Sequence, residues 1–335
     1  MRTWISFRTP IRGIRVGVGA SLPAARVYRV SATGAKVSNI GSTVMLAGLA
    51  ITVTAHDAVG ATASTTVTAT QSGAAPVTMS QDWANYNLQN GGGDFANPYM
   101  PIPFYAHQSP YNVGSLVRGT DYTTSVVFHP STFPNNTVFT WSFPEVAASG
   151  HVYNFDSIDF GYNTGAPQTP IPAFQIQNLT TLTATTNYSL SGETQFFNII
   201  YDFFVYPTST PGAQSTAHEF SITLHCQNYE AAAVTGLASN LKFNYPDSQG
   251  TQWIIYDYGG GAIGSQIVID RADFADVPNN YVIDIKGIIN AAVAHGWVSA
   301  NEWFVGIGLG AEPAQGNGSW TLNSWSFNYN GTIYP

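Results

Sequence analysis

The sequence predicts an all-β protein, built mainly as a two-sheet antiparallel sandwich or jelly roll with one short helix. Short runs that alternate apolar and polar residues recur from Val77 onward, separated by turn residues and without the strand–helix–strand rhythm of a parallel sheet. Apolar residues make up 44% of the 335 residues and aromatic residues 13%, which suffices for a packed core. Together these features favour antiparallel sheets packed face to face.

The N-terminal part differs in pattern from the rest. Residues 1–25 form an irregular basic segment, in which arginines and glycines interrupt the apolar run that a signal peptide needs. Residues 26–70 alternate in Val-, Thr- and Ala-rich runs with a hairpin turn at Asp57–Gly60, which predicts a small Ig-like β-module acting as spacer or attachment module. Residues 71–76 form a linker, and 77–335 form the jelly-roll domain. Such modules are common beside bacterial secreted or surface enzymes, so we expect a secreted or extracellular bacterial protein.

The strands predicted in the jelly-roll domain are runs with period-2 alternation or with many β-branched and aromatic residues. They are 125–129, 137–143, 151–160, 172–177, 180–190, 195–206, 217–225, 252–257, 265–270, 303–311 and 319–329. One helix is predicted at 284–295, because its apolar residues recur at the spacing of one helical face. Those residues are Ile285, Ile288, Ile289, Ala292 and Val293, followed by Gly296 as a helix terminator.

Composition and charge restrict the partners. The formal net charge is −8, from 11 basic and 19 acidic residues, so neither nucleic acid nor an anionic membrane surface is an expected partner. No apolar run approaches the roughly 20 residues of a membrane span. A low charge with many Tyr, Trp, Asn, Thr and Gly residues suits a neutral polar ligand, with sugars as the leading class. We therefore expect a polysaccharide substrate and a monomeric protein.

The sequence shows no pattern typical of a metal or cofactor site. Cys226 is the single cysteine, which excludes an internal disulfide and a cysteine metal cluster. No pair of the seven histidines has helical metal-ligand spacing, and no phosphate-binding Lys-Ser/Thr follows Gly259–Gly261. We expect neither a metal nor a cofactor.

Two predicted strands carry acidic side chains on a polar face. Side chains alternate between the two faces of a strand. One face of the strand at 217–225 is apolar, whereas the other carries Glu219, Ser221 and Thr223. Asp202 lies on the polar face of the preceding strand. Because charged residues make up only 9% of the chain, a carboxylate within an apolar strand is a marked position.

A third carboxylate follows the strand predicted at 303–311. Alternation places Phe304 on the same face as Glu312, and the residues between them on that face are Gly306, Gly308 and Gly310. Glycine within a strand often marks the close approach of a ligand or of another backbone. We therefore expect a groove that admits a polymer beside Glu312.

Two glutamates and an aspartate on one open face predict glycoside hydrolysis. A retaining mechanism needs a nucleophilic carboxylate and a proton-donating carboxylic acid, and a further acid beside the nucleophile helps to hold their protonation states apart. The alternative is a set of surface or hydrogen-bonded structural carboxylates.

Short motifs over about residues 80–330 resemble glycoside hydrolase family 12. Asn198–Phe204 is similar to the family's N-x-x-Y-D-x-F strand. Glu219–Ile222 is similar to the strand that carries the family's nucleophile, and 219 − 202 = 17 residues separate it from the strand's aspartate, as in the family. Gly310–Pro313 is similar to the acid/base segment.

The resemblance implies a concanavalin-like jelly roll and a retaining endo-acting enzyme that cleaves β-1,4-linked glucans, such as cellulose-like polymers, mixed-linkage glucan or xyloglucan. It implies that Glu219 is the nucleophile, Glu312 the acid/base residue and Asp202 the residue that supports Glu219. The candidate substrate-binding residues are Trp83, Asn87, Ser221, Thr223, Phe304 and Pro313.

The chain also departs from the family pattern. Gln89 follows Asn87-Leu88 where the family has a sugar-stacking tryptophan, and Ser221 and Thr223 replace a methionine and a tryptophan on the nucleophile strand. Two alternatives therefore stand beside the enzyme. One is a non-catalytic carbohydrate-binding jelly roll, and the other is a surface structural protein attached through the N-terminal module.

Overall fold

The structure of the protein, a computed structural model, describes residues 27–33, 36–40, 43–47, 50–56, 62–68, 75–82, 85–86, 104–144, 152–161, 171–192, 196–210, 218–227, 237–260 and 265–334. Side chains are described within these ranges from residue 75 onward, except at 85–86 and 259–260. The chain divides into two units, Met1–Gly73 and Ala74–Pro335.

The first unit contains five strands: β1 (Val27–Thr33), β2 (Lys36–Ile40), β3 (Thr43–Ala47), β4 (Ala50–His56) and β5 (Thr62–Thr68). Strands β1, β4 and β5 form one antiparallel sheet, and β2 pairs with β3. The register of β4 and β5 ends at His56 opposite Thr62, which agrees with a hairpin. The turn predicted at Asp57–Gly60 lies outside the described residues, and the Ig-like arrangement stays a prediction.

Within its described residues the second unit contains the remaining strands, the α-helix α1 (Ile285–His295) and two 3-10 helices, Ile176–Asn178 and Ser239–Leu241. The strands are β6 (Val77–Met79), β7 (Asn85–Tyr86), β8 (Phe104–His107), β9 (Thr123–Phe128), β10 (Thr137–Ser142), β11 (Asp156–Gly161), β12 (Phe174–Gln175), β13 (Leu182–Ser191), β14 (Phe197–Tyr206), β15 (His218–Gln227), β16 (Lys242–Pro246), β17 (Gln252–Gly260), β18 (Ser265–Arg271), β19 (Val282–Asp284), β20 (Trp303–Phe304), β21 (Gly306–Pro313), β22 (Asn317–Tyr329) and β23 (Thr332–Tyr334). No helix in the described part of the chain is long and apolar enough to cross a membrane.

These strands form two sheets, as the sequence predicted. The smaller sheet has the order β19-β13-β22-β10-β9-β6, with β23 beside β22. The larger sheet has the order β16-β17-β18-β15-β14-β21-β11-β8-β7, with β20 beside β14 and β12 beside β20. The described pairs within them are antiparallel except β15–β18, which is parallel because the β16–β17 hairpin intervenes in the chain.

Both sheets contribute to one apolar core. Phe327 of β22 belongs to it, and so do Tyr201 of β14 and Phe220 of β15. A register shift opposite Asn187 changes which face of β22 is buried, since Leu322 and Phe327 both reach the core although they differ in parity. All residues of β14 are buried, because this strand is central in the larger sheet.

The predicted helix is confirmed almost to the residue. The Asp284 side chain caps its start by accepting a hydrogen bond from the Gly287 N–H at 2.9 Å. Gly296 ends it with a left-handed φ of 84°. Four of the five predicted apolar residues are buried, namely Ile285, Ile288, Ile289 and Ala292.

The alternation predicted for 303–311 is wrong at its start. The backbone leaves the sheet at Val305 between β20 and β21, and this irregular residue reverses the faces. Phe304 is therefore a fully buried core residue in contact with Phe203, whereas Trp303 and Val305 pack with Phe204 in a separate cluster.

Candidate active site

Three neighbouring strands of the larger sheet carry the predicted acids. The order β15-β14-β21 places Glu219, Asp202 and Glu312 on consecutive strands. The alternate residues of these strands, such as Phe220 and Leu309, belong to the core, so the acids occupy the opposite face. We call the face that bears Asp202, Glu219 and Glu312 the carboxyl face.

The strand register sets the neighbours of each acid. On β14, Asp202 lies opposite Ser221 of β15 and opposite Gly308 of β21. Glu312 lies opposite Asn198, which is on the same face of β14 as Asp202. Gly308 contributes no side chain beside Asp202, and Asp159 of β11 lies opposite Gly308 on its other side.

Glu312 is held by two neutral donors. The Asn198 Nδ2 donates to Glu312 Oε2 at 3.0 Å, and the Tyr111 hydroxyl lies 3.3 Å from Oε1. Burial raises the pKa of Glu312 above its ordinary value, and these two hydrogen bonds oppose that rise because they favour the ionised form.

Glu219 receives its hydrogen bond from the parallel neighbour of its strand. Gln266 of β18 lies directly opposite Glu219, and its Nε2 donates to Glu219 Oε1 at 3.2 Å. Burial, followed by the negative charge of Glu312, raises the pKa of Glu219 to about 7. Since the effect of Glu312 requires proximity, the two glutamates act on each other although one strand separates them.

Asp202 lies between the two glutamate-bearing strands and is 8% exposed. Burial, then the charges of Glu219, Glu312 and Asp159, raise its pKa well above the ordinary value. Its Oδ1 has no hydrogen-bond partner among the described residues. The raised pKa favours the protonated form of Asp202, which can donate a hydrogen bond to a neighbouring carboxylate.

Tyr111 shows that the three carboxyls converge. Burial of its hydroxyl and then the charges of Glu312, Asp202 and Glu219 raise the pKa of Tyr111 above its ordinary value. The charges of all three acids thus act on one phenol group. Below about pH 7 the two glutamates together hold at least one proton, which is the number that an acid/nucleophile pair needs.

The predicted substrate-binding residues that the structure describes do not all lie on the carboxyl face. Ser221 and Thr223 are on the carboxyl face at 5% and 8% exposure, and Pro313 is buried directly after Glu312. Phe304 is in the core, so the face pattern that nominated it as a substrate contact is wrong there. Trp83 and Asn87 lie outside the described residues.

Sequence patterns did not nominate Gln266. Its contact with Glu219 depends on the parallel pairing of β15 and β18, for which the sequence carries no local signal. Tyr111 follows a turn-rich segment, and 201 residues separate it from Glu312. A side chain brought in over such a distance is not visible in any motif.

One of the alternating glycines of β21, Gly310, is required by the packing of the neighbouring strand. A Cβ added to Gly310 would lie 2.6 Å from the backbone oxygen of Asp156 and 2.7 Å from Phe155 Cε2. Gly310 is therefore required for the close approach of β11, rather than for the entry of a ligand.

The described residues contain no group of three or more His, Cys, Asp or Glu side chains arranged to hold a metal ion.

Comparisons with known proteins identify the fold. No family model matches the sequence, and a search of curated proteins finds no match. Among solved structures, a family 12 xyloglucanase from Bacillus licheniformis in complex with ligand is similar at a TM-score of 0.58 and 15% identity, covering 77% of this chain and 100% of that chain.

Two endoglucanase structures show the same likeness. Endoglucanase 3 of Trichoderma harzianum, from family 12, has a TM-score of 0.58 at 13% identity over 77% of this chain and 100% of that chain. An endoglucanase from Rhodothermus marinus has a TM-score of 0.52 at 16% identity over 76% of this chain and 99% of that chain. The resemblance expected from the motifs is thus confirmed for the fold: the chain has the β-jelly-roll fold of glycoside hydrolase family 12.

Proposed function

We propose that this protein is a retaining, endo-acting glycoside hydrolase of β-1,4-linked glucans. The observation that carries the proposal is the convergence of Asp202, Glu219 and Glu312 on one face, where burial and mutual charge raise the pKa values of Asp202 and Glu219. The fold of family 12 supports it, because the structures that share this fold are named as xyloglucanases and endoglucanases.

In this mechanism Glu219 attacks the anomeric carbon while Glu312 gives its proton to the leaving glycosidic oxygen. The bond to the leaving sugar breaks, and an ester forms between Glu219 and the retained sugar. Glu312, now ionised, takes a proton from water, which attacks the ester and releases the sugar with its configuration retained. Protonated Asp202 donates a hydrogen bond to Glu219 and so stabilises its ionised form.

The polar groups of the carboxyl face support a neutral polymer as the substrate. Neutral hydroxyl and amide groups surround the acids, among them Ser221, Thr223 and Asn198. They suit the hydroxyls of an uncharged polymer, namely cellulose-like glucan, mixed-linkage glucan or xyloglucan.

The first test is Glu219→Gln on a panel of soluble β-glucans, measured as released reducing ends. We expect loss of turnover for Glu219→Gln, because the amide is not a nucleophile. We expect a loss of about 10²–10⁴-fold for Glu312→Gln, because only general acid–base catalysis is removed. The matched control is Glu302→Gln, since Glu302 contacts His218 at 3.4 Å and is not one of the three converging acids.

Near wild-type rates for Glu219→Gln on every glucan that the parent cleaves would refute the assignment. NMR of the first-formed product anomer tests retention of configuration. Binding of a glucan without any reducing ends favours the non-catalytic carbohydrate-binding jelly roll. An absence of both binding and cleavage favours the structural protein.

A further inference from the structure

Tyr111 is an exposed aromatic residue whose hydroxyl points into the carboxyl face. The residue is 49% exposed, yet its hydroxyl lies 3.3 Å from Glu312 Oε1. This distance is long for a hydrogen bond between oxygens, but catalytic hydrogen bonds are often long before the substrate binds. The residue thus keeps exposed surface while its polar end contacts Glu312.

The segment around Tyr111 is fixed beside Glu312. The Asn112 N–H donates to the Tyr153 carbonyl at 3.1 Å, and the Ser109 N–H donates to Asp156 Oδ1 at 3.1 Å. Asp156 begins β11, which pairs with the residue before Glu312. These bonds on both sides of Tyr111 hold its hydroxyl at the glutamate without help from a ligand.

The two oxygens of Glu312 have different neighbours. The Asn198 Nδ2 at 3.0 Å from Oε2 can only donate, so a proton on Oε2 would bring two donors together. The Tyr111 hydroxyl at Oε1 can donate or accept by rotating about its C–O bond. The Tyr111 hydroxyl can therefore accept a hydrogen bond from a protonated Oε1 and donate one to an ionised Oε1.

The charges around Tyr111 keep its hydroxyl protonated. Burial of the hydroxyl and the charges of Glu312, Asp202 and Glu219 all raise the pKa of Tyr111. The phenol is consequently a neutral donor throughout the pH range in which the carboxyls titrate. Among the described residues, the side chains that shift the pKa of Glu312 are Asn198 and Tyr111, both of them neutral.

On the basis of the proposed function, we propose that Tyr111 is a positioning residue for the acid/base glutamate and a contact for the departing sugar. Its hydroxyl selects Glu312 Oε1 as the oxygen that carries the transferred proton. In the first step the Oε1–H bond breaks, the proton goes to the glycosidic oxygen, and the hydroxyl turns to donate to the ionised Oε1. The exposed ring lies next to the oxygen that is protonated, so it packs against the sugar that leaves.

The test separates the hydroxyl from the ring. Tyr111→Phe removes only the hydroxyl, so we expect kcat/KM to fall about tenfold, as for loss of one hydrogen bond to a charged group. The alkaline limb of the pH profile should move up by about half a unit or more, because the ionised Glu312 has lost a donor. Tyr111→Ala should in addition raise KM for oligomeric substrates, because the ring contact is lost as well.

The matched control is Tyr245→Phe, whose hydroxyl lies near Asp284 and Asp247 instead of the three acids. We expect no shift of the alkaline limb for this variant. A fall in kcat/KM for Tyr111→Phe with an unmoved alkaline limb would overturn the proposal, since it would indicate only loss of loop packing. Equal KM values for Tyr111→Phe and Tyr111→Ala would refute the proposed contact between the ring and the sugar.

A second measurement does not depend on activity. The chain has only six glutamates, so the side-chain carboxyl of Glu312 can be followed by NMR in protein labelled at glutamate, with Glu312→Gln giving the assignment. We expect the pKa of Glu312 to be higher in Tyr111→Phe than in the parent, and an unchanged value overturns the proposal even if no glucan is cleaved. If the parent cleaves no glucan but the pKa of Glu312 is higher in Tyr111→Phe, the proposed function is rejected, whereas the contact between Tyr111 and Glu312 is supported.

Discussion

Glu219 and Glu312 are identical side chains that their neighbours make different. Glu219 accepts from one amide, that of Gln266, whereas Glu312 accepts from Asn198 and Tyr111. In the proposed mechanism Asp202 is a second donor to Glu219, and burial raises the pKa of Glu312 in spite of its two hydrogen bonds. The proposed roles of acid and nucleophile therefore depend on which glutamate holds the proton, and the Tyr111 hydroxyl can accept a hydrogen bond from a protonated Oε1 of Glu312.

The pH profile tests this coupling at the residue scale. In the parent, kcat/KM should fall as pH rises through about 7, because the glutamate pair then loses its last proton and no acid is left. In Glu312→Gln the neighbouring charge is gone, so the pKa of Glu219 should drop below about 7 while burial keeps it above the ordinary value. On an aryl glycoside whose leaving group needs no proton, the bell-shaped pH profile of kcat/KM should become a single ascending limb in Glu312→Gln.

The control for this experiment is again Glu302→Gln, which should keep the bell. An ascending limb in Glu312→Gln that stays at about pH 7 would show that the charge of Glu312 does not act on Glu219. A persistent alkaline limb in that variant would show that another group supplies the proton.

At the scale of elements, β11 and β21 are close because of one glycine. The pair runs from Asp156 opposite Ala311 to Gly161 opposite Gly306. At Gly310 the backbone oxygen of Asp156 occupies the space that a side chain would need. This contact sets the distance between the strand that carries Glu312 and the strand that anchors the Tyr111 segment.

Gly310→Ala should therefore destabilise the protein by about 1–3 kcal/mol, the usual cost of inserting a methyl group into packed atoms. The change is measured as the free energy of unfolding in urea. The matched control is Gly192→Ala, where a Cβ meets nothing within 4 Å and only the φ of 62° is strained. A loss for Gly310→Ala no larger than that of Gly192→Ala would contradict the proposed role of close packing.

At the scale of the whole molecule, the two units form separate sheets. Among the described strands, β1, β4 and β5 form one sheet and β2 pairs with β3, and the acids of the carboxyl face all belong to Ala74–Pro335. A unit of this size has a marginal core of its own, which suits a spacer or attachment module better than a catalytic part.

Shortening the chain to residues 74–335 should leave kcat/KM on soluble β-glucan unchanged. The reason is that the residues proposed to react and their hydrogen-bond partners lie within that unit. Activity and thermal unfolding are compared with those of the full chain. Loss of activity in a shortened chain that unfolds as cooperatively as the full one would give the first unit a role in the site.

The sequence by itself determined which residues face the core, because alternation along a strand is a local property of the backbone. It was sufficient for the helix and for the core faces of β14 and β15, and it predicted that Asp202, Glu219 and Glu312 lie on the face opposite the core. It failed at Val305, where one residue outside the sheet reversed the alternation and sent Phe304 into the core.

Only the tertiary structure decided which strands are neighbours, and with them the partners of each acid. Gln266 reaches Glu219 through a parallel pairing, and Tyr111 reaches Glu312 across 201 residues. The pKa shifts arise in the same way, since burial and charge depend on distances that no local pattern contains. The sequence gives the type of each residue, whereas the electrostatic field at a carboxyl group depends on all the groups that folding brings near it.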